Sequence, residues 1–307
     1  MKHLLVHLKL LFVAAVWGFG WPAGRVLAEE MAPFAAAWTR YVVALACFAA
    51  LLFFTNNWVF PTRGEWKRIA LIGFFSTVVY QAFFMFGMQY TAAGDASLMI
   101  TFNPFFTALL AIVFLNERMN WRLGSGLALG ITGVTILFLY SPNVDIPFNE
   151  RALGDLLIAA AALSWACNSI LMKKAMTTPA PDATESLSPL QLTVWSSVVG
   201  FLLLTPVVAV ETMYVGWPDP NLNGWISLVF LAVFSTVISY VWFADGIKTI
   251  GAGKSALYVY LVPPFGIFSG WLLLDEKLGV PLLISFVLIV GGVALAQSQQ
   301  AKGEEAS

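Results

Sequence analysis

Charged side chains inside apolar stretches are the first residues to read for chemistry, because burying one in lipid costs several kcal/mol. Arg40 is the clearest, about seven residues into the run 33–54, or roughly 10 Å along a helix at 1.5 Å per residue. A guanidinium matches carboxylate geometry, so Arg40 either contacts a substrate carboxylate or pairs structurally with Asp95, Glu29 or Glu30. Asp245 lies at the end of another apolar run, with Lys248 three residues on. It is either a titratable group for proton coupling or half of a same-face ion pair. Glu117 and Glu276 follow apolar runs and are expected to hold loops or helix ends. Aromatic and amide residues form a third set: Trp17, Trp21, Tyr80, Gln81, Phe84, Asn103, Trp165, Asn168, Tyr240, Tyr258 and Tyr260. Small-molecule sites are mostly apolar and aromatic with a few placed polar groups, and amides in lipid need internal partners. These eleven are the expected lining of a substrate cavity, with packing or interfacial anchoring as the alternative for any one ring. Pro104 and Pro263 each remove a helix hydrogen bond and are candidate hinges, or static bends.

Other chemistries fail on spacing. Gly253-Lys254-Ser255 resembles the end of a phosphate loop, but the first glycine would fall on Lys248. No nucleotide site is expected, nor any other cofactor, and transport across a membrane would draw on gradients. His3 and His7 lack a carboxylate companion, and Cys47 and Cys167 sit in apolar runs, so neither pair is expected to bind metal. A histidine-dependent hydrolase has no histidine deeper in the chain to work with.

The elements that must position these residues are set by composition. Of 307 residues, 59% are apolar and only 11% charged, against about 45–50% and 25% in soluble domains. The net charge of -1 carries no basic footprint for nucleic acid. A membrane-spanning helix takes roughly 20 apolar residues. Turn residues and charges cut the chain into ten such runs, at 8–27, 33–54, 68–90, 96–115, 121–140, 153–175, 189–210, 225–247, 255–274 and 280–298. Most are hydrophobic on all faces, as in lipid-surrounded helices, without the alternation of barrel strands. Val26-Leu27-Ala28 resembles a secretory cleavage site, but Trp17, Trp21 and Pro22 suit a signal core poorly. The fold class expected is therefore an all-α integral membrane protein of ten transmembrane helices.

Basic residues set the orientation. Lys2, Lys9, Arg63, Lys67, Arg68, Arg118, Arg122, Lys173, Lys174, Lys248, Lys254 and Lys302 fall on the side of the N-terminus, while Arg25, Arg151 and Lys277 fall on the other. Both termini are expected in the cytoplasm, in a bacterial-type inner membrane. Shifting the chain by 159 residues aligns it with itself. Phe75-Ser76-Thr77-Val78 meets Phe234-Ser235-Thr236-Val237, and Ala93-Gly94 meets Ala252-Gly253. Pro104 meets Pro263, Glu117 meets Glu276, and Gly133-Val134 meets Gly292-Val293. Trp17 pairs with Trp165 at a shorter offset, an insertion near Thr177–Ser188 absorbing the difference. Five spans per copy is odd, so the copies are inverted, as in many secondary transporters. The boundaries expected are 1–142 for the first repeat, 143–298 for the second and 299–307 for a polar cytoplasmic tail.

These residues carry a resemblance. Met88–Leu98, Asn103-Pro104-Phe105-Phe106 through Ala111, and Leu115-Asn116-Glu117-Arg118 resemble the EamA-type repeat of the drug/metabolite transporter superfamily. Gly251–Leu257, Pro263-Pro264-Phe265 and Leu274-Asp275-Glu276-Lys277 give the second copy. Trp17-Gly18 and Arg40-Tyr41 also look like the family, whereas Pro263-Pro264, Asp275 and Asn116 depart from its pattern. The resemblance implies ten spans with both termini inside. It also implies export of amino acids or related metabolites. A membrane-embedded enzyme would need a catalytic group that the sequence does not show, so no enzymatic activity is expected. The partners expected are a small-molecule substrate and the lipid bilayer, with the chain a monomer or weak homodimer and no nucleic acid bound. Gly126, Gly130, Gly291 and Gly292 offer small faces for close helix packing. The alternative class is a membrane scaffold or channel.

Overall fold

The computed structural model describes residues 2–55, 58–115, 121–143, 145–182, 187–250 and 257–297. Its described residues are helical and contain no strand. Helix α1 runs Lys2–Glu30 and α2 Pro33–Thr55. Helix α3 consists of Arg63–Gly73, a π-helical segment Phe74–Val79 and Tyr80–Tyr90. Helix α4 consists of Ala93–Met99, a 3-10 turn Ile100–Phe102 and Asn103–Leu115. Then come α5 (Trp121–Tyr140), α6 (Phe148–Thr177) and α7 (Pro189–Val215). Helix α8 consists of Leu222–Val229, a π-helical segment Phe230–Ile238 and Ser239–Ile250. Helix α9 is a 3-10 turn Leu257–Leu261 followed by Val262–Leu274, and α10 is Val280–Gln297.

Seven of these helices are long and apolar enough to cross a membrane, and three shorter apolar helices lie within α5, α9 and α10. Large side chains such as Phe53, Phe54, Phe114, Met213 and Leu283 face outward. Lipid accommodates this pattern, whereas water would penalise it.

Helix starts are held by side-chain oxygens, which satisfy amide groups left without a partner in the first turn. Ser188 and Gln191 form a reciprocal capping box at α7, and Asn221 accepts from the amides of Asn223 and Gly224 at α8. Several carboxylates cap helices other than their own. Glu211 of α7 accepts from the amides of Phe34 and Ala35 at α2, and Asp182 accepts from Gly64 at α3. Glu276 accepts from Ala93 and Gly94 at α4, and Glu30 of α1 from Asn221 before α8. Negative charge is favourable at these positive helix ends.

The two π-helical segments contain the repeated Phe-Ser-Thr-Val motif, at 75–78 and 234–237. Pro104 and Pro263 occupy equivalent places too. Each is the second residue of an α-helical stretch that follows a 3-10 turn. There a missing N–H costs little. Close packing joins α5 and α10. A Cβ added to Gly292 would lie 2.5 Å from the Gly126 carbonyl, so α5 and α10 touch backbone to backbone, whereas Gly291 faces open space.

Candidate functional site

Six of the expected cavity residues meet in one aromatic cluster at the centre of the bundle. Trp21 of α1 contacts Phe84 of α3 at 5.5 Å between ring centroids, and Phe84 stacks on Tyr80 at 6.0 Å. Tyr80 contacts Trp165 of α6 at 5.2 Å, Trp165 contacts Tyr240 of α8 at 6.4 Å, and Tyr240 contacts Trp17 of α1 at 6.4 Å. Phe243 joins Trp17 at 5.3 Å. The chain of rings thus crosses four helices, α1, α3, α6 and α8. The Trp17 indole N–H donates to the Ser235 carbonyl at 3.0 Å, in the π-helical stretch of α8.

Arg40 lies beside this cluster. It is 9% exposed, and its charge reaches both Tyr80 and Tyr240, with Tyr41 nearby. One guanidinium nitrogen donates to Thr236 Oγ1 at 2.8 Å and another to Gln81 Oε1 at 3.5 Å. Its buried Nε has no partner among the described residues. The partners considered from sequence are engaged elsewhere. Asp95 accepts from Ser141 and Asn143, Glu29 from Arg25, and Glu30 from Asn221. Thr236 is placed by the π-helical turn, where its hydroxyl also donates to the Leu231 carbonyl five residues back. π-bulges often mark functional positions in helices. Arg40 is therefore a buried cation with neutral hydrogen-bond partners and aromatic walls.

The remaining expected residues lie outside this cluster. Tyr258 meets His7 Nδ1 at 2.6 Å near the start of α1. Tyr260 packs with Phe102, Phe105 and Val293. Asn103 donates to the Ala162 carbonyl at 3.1 Å, tying α4 to α6. Asn168, one turn beyond Trp165, is buried, and its Oδ1 has no partner among the described residues. Asp245 receives a hydrogen bond from Lys9 of α1 at 2.7 Å, with both side chains partly exposed. It thus has an ion-pair partner on another helix, while the side chain of Lys248, the partner considered from the sequence, lies outside the described residues. Glu117 lies outside the described residues.

A second polar cluster, near the Glu30 end of the bundle, was not read from the sequence. Asp155 of α6 and Asp95 of α4 are both fully buried. Ser141 Oγ donates to Asp95 at 2.6 Å and Asn143 Nδ2 at 3.2 Å, while Thr91 Oγ1 donates to Asp155 Oδ1 at 2.5 Å. Arg151, also buried, gives its donors to the carbonyls of Phe138, Ser141 and Asn143. Glu276 adjoins this cluster from the loop after α9. Burial pushes its carboxyl above the usual range, against the opposing pull of the Gly94 and Ala93 amides. The available signal was the i, i+4 spacing of Arg151 and Asp155, which places both on one helix face.

Apolar helices around a buried cation and an aromatic interior define a polytopic helical membrane protein with a polar site in its core. The model of the EamA-like transporter family matches residues 4–139 and again 152–297. The chain belongs to the EamA-like transporter family and is a membrane transporter. A Bacillus subtilis (strain 168) protein named Uncharacterized transporter YyaM is 26% identical over 304 residues, spanning 96% of this chain and 94% of its own length. An Escherichia coli (strain K12) protein named Probable amino-acid metabolite efflux pump is 29% identical over 293 residues, spanning 92% of this chain and 91% of its own. One solved crystal structure is 20% identical with a TM-score of 0.56, spanning 92% of this chain and 98% of that one. It has the same fold.

Proposed function

We propose that the chain exports small carboxylate-bearing metabolites, with amino acids or their analogues the leading class, as a secondary active or facilitative carrier without enzymatic activity. The observation that carries this reading is Arg40, held among aromatic rings by neutral partners and with Nε unpaired among the described residues. A buried cation is costly without a counter-charge. A substrate carboxylate supplies that charge, and the rings of Trp17, Trp21, Tyr80, Trp165 and Tyr240 enclose the rest of the ligand. The name of the Escherichia coli relative supports the amino-acid class.

The working architecture is ten spans in two inverted halves, residues 1–142 and 143–298, rocking about the aromatic site as a monomer or weak homodimer. Matching π-helical segments in α3 and α8, and matching 3-10 to α junctions at Pro104 and Pro263, support equivalent halves with the prolines as hinges. The basic-residue distribution supports an orientation with the Lys9 end in the cytoplasm and the Glu276 end outside.

The test is counterflow into proteoliposomes by the wild type, Arg40→Gln and Arg40→Lys. A hydrogen bond to a charged group is worth about 1.5–3 kcal/mol, and each 1.4 kcal/mol is about tenfold in affinity. Arg40→Gln is expected to weaken apparent affinity for a carboxylate substrate by about 10- to 100-fold, with partial recovery in Arg40→Lys. Unchanged affinity in Arg40→Gln would remove Arg40 from the substrate site.

A further inference from the structure

The cluster around Asp155 lies away from the aromatic rings, and the proposed substrate contact does not use it. Among the described residues nearby are three carboxylates, Asp95, Asp155 and Glu276, and two cations, Arg25 and Arg151. Arg151 contributes from α6 itself, Asp95 from α4, Glu276 from the loop after α9 and Arg25 from α1. Arg151 gives its donors to backbone carbonyls. Arg25 does likewise with Met88 and Thr91, and also pairs with Glu29. Asp95 lies near enough to Asp155 for their charges to repel. Arg151 is near enough to attract both aspartates but gives its donors to carbonyls, so two fully buried carboxylates in mutual repulsion cannot both be ionised at low cost.

Hydrogen bonding decides which one carries the proton. Each oxygen of Asp95 receives a side-chain donor, which favours its charged form. Glu276 receives two backbone amides. Asp155 has Thr91 on Oδ1, but Oδ2 is buried with no partner among the described residues. A charged oxygen without a donor in an apolar interior is the most costly arrangement of the three.

We propose that Asp155 is a reversible proton-binding site through which transport is coupled to a pH gradient. This rests on the carrier reading given above. The proton adds to a lone pair of Oδ2 and leaves to water, with no change in any other bond. Asp155 is the eighth residue of α6, about 10 Å from the helix start at 1.5 Å per residue. That start faces outside in the proposed orientation, from which a proton would load. A physical route joins this site to the substrate site. Arg25 stands one turn beyond Trp21 on α1, bonds the Thr91 carbonyl at 2.8 Å, and Thr91 donates to Asp155. Movement of α1 around substrate thus bears directly on the residue that partners Asp155.

The experiment is difference infrared spectroscopy of the full-length protein in lipid across a pH titration, comparing wild type, Asp155→Asn, Asp95→Asn and Asp245→Asn. The expected result is a protonated-carboxyl band near neutral pH that disappears in Asp155→Asn and persists in Asp245→Asn. A band that is absent from the wild type, or that survives in Asp155→Asn, would overturn the proton site. Spectra of folded protein in lipid need no transport, and Asp95→Asn, which keeps the size of the side chain but removes the charge that repels Asp155, is expected to move the band's titration to lower pH without abolishing the band. In vesicles where the wild type shows counterflow, an imposed pH gradient is expected to drive substrate accumulation, and Asp155→Asn to lose that drive. Wild-type counterflow indifferent to the gradient would overturn coupling while leaving the carrier reading intact. Wild-type vesicles without counterflow would strike at the carrier reading instead.

Discussion

At the residue scale, the acidic side chains divide by the groups around them. Asp245 forms an ion pair with Lys9 in partly exposed surroundings, an arrangement worth about 0–1 kcal/mol. Asp182 is solvent-exposed and accepts from Thr62 Oγ1 and the Gly64 amide at the start of α3. The Gly64 amide, and then the Thr62 hydroxyl, hold its carboxyl below the usual carboxylate range. A depressed folded-state value means that its stabilising contribution is present above the unfolded value and is lost as pH falls through the folded one. Asp182→Asn is therefore expected to flatten the acid limb of a stability-against-pH curve, measured by thermal unfolding in detergent, and to leave neutral and alkaline behaviour similar in slope. An acid limb identical in the two proteins would show that the cap contributes nothing. Arg40 was legible in the sequence because a charge within an apolar run is conspicuous. Asp155 was not, because two turns from a helix start it resembles an end-of-span acid, and only tertiary packing shows that both of its neighbours are buried.

At the element scale, helix type decides which residues meet. Trp17, Trp21, Tyr80, Phe84, Trp165 and Tyr240 come together because each sits in a helix that passes the bundle centre. Tyr258 and Tyr260 fall in the 3-10 turn Leu257–Leu261, where three residues per turn change the facing that an α-helical count assumes. Sequence periodicity carried no signal for that turn or for the π-helical segments. The left-handed backbone of Asp275, at φ 54°, accounts for its place at the end of α9, since aspartate tolerates this conformation better than most residues. Helix contact also depends on Gly18. A Cβ there would lie 2.3 Å from Phe265 Cβ and 2.9 Å from the Gly266 nitrogen, pressing α1 against the α9 backbone. Gly18→Ala is expected to destabilise the protein by about 1–3 kcal/mol through overpacking. Gly291→Ala meets nothing within 4 Å and is expected to be neutral or to stabilise by up to about 1 kcal/mol. Thermal unfolding of the two variants side by side checks the pair, and equal effects would contradict this packing of α1 on α9.

At the scale of the whole molecule, spans and helices coincide closely where turn residues bound them. The runs 33–54, 121–140 and 280–298 correspond to helices Pro33–Thr55, Trp121–Tyr140 and Val280–Gln297. The helices run longer where polar residues continue a helix beyond its apolar part, as in Phe148–Thr177 against 153–175. Hydropathy reports lipid contact, and backbone hydrogen bonding continues past it until a cap or proline intervenes. Family membership and the all-helical fold establish a membrane transporter, while the proposed substrate class rests on the central site and the proposed coupling on the Asp155 cluster. The most direct measurement is counterflow in proteoliposomes loaded with unlabelled amino acids, or with the amines obtained by removing their carboxylate, following entry of a labelled amino acid. A carrier built around Arg40 predicts saturable exchange with at least one carboxylate-bearing class and none with the matching amines. Equal exchange with the amines, or no exchange with any compound in vesicles that contain folded protein, would contradict it.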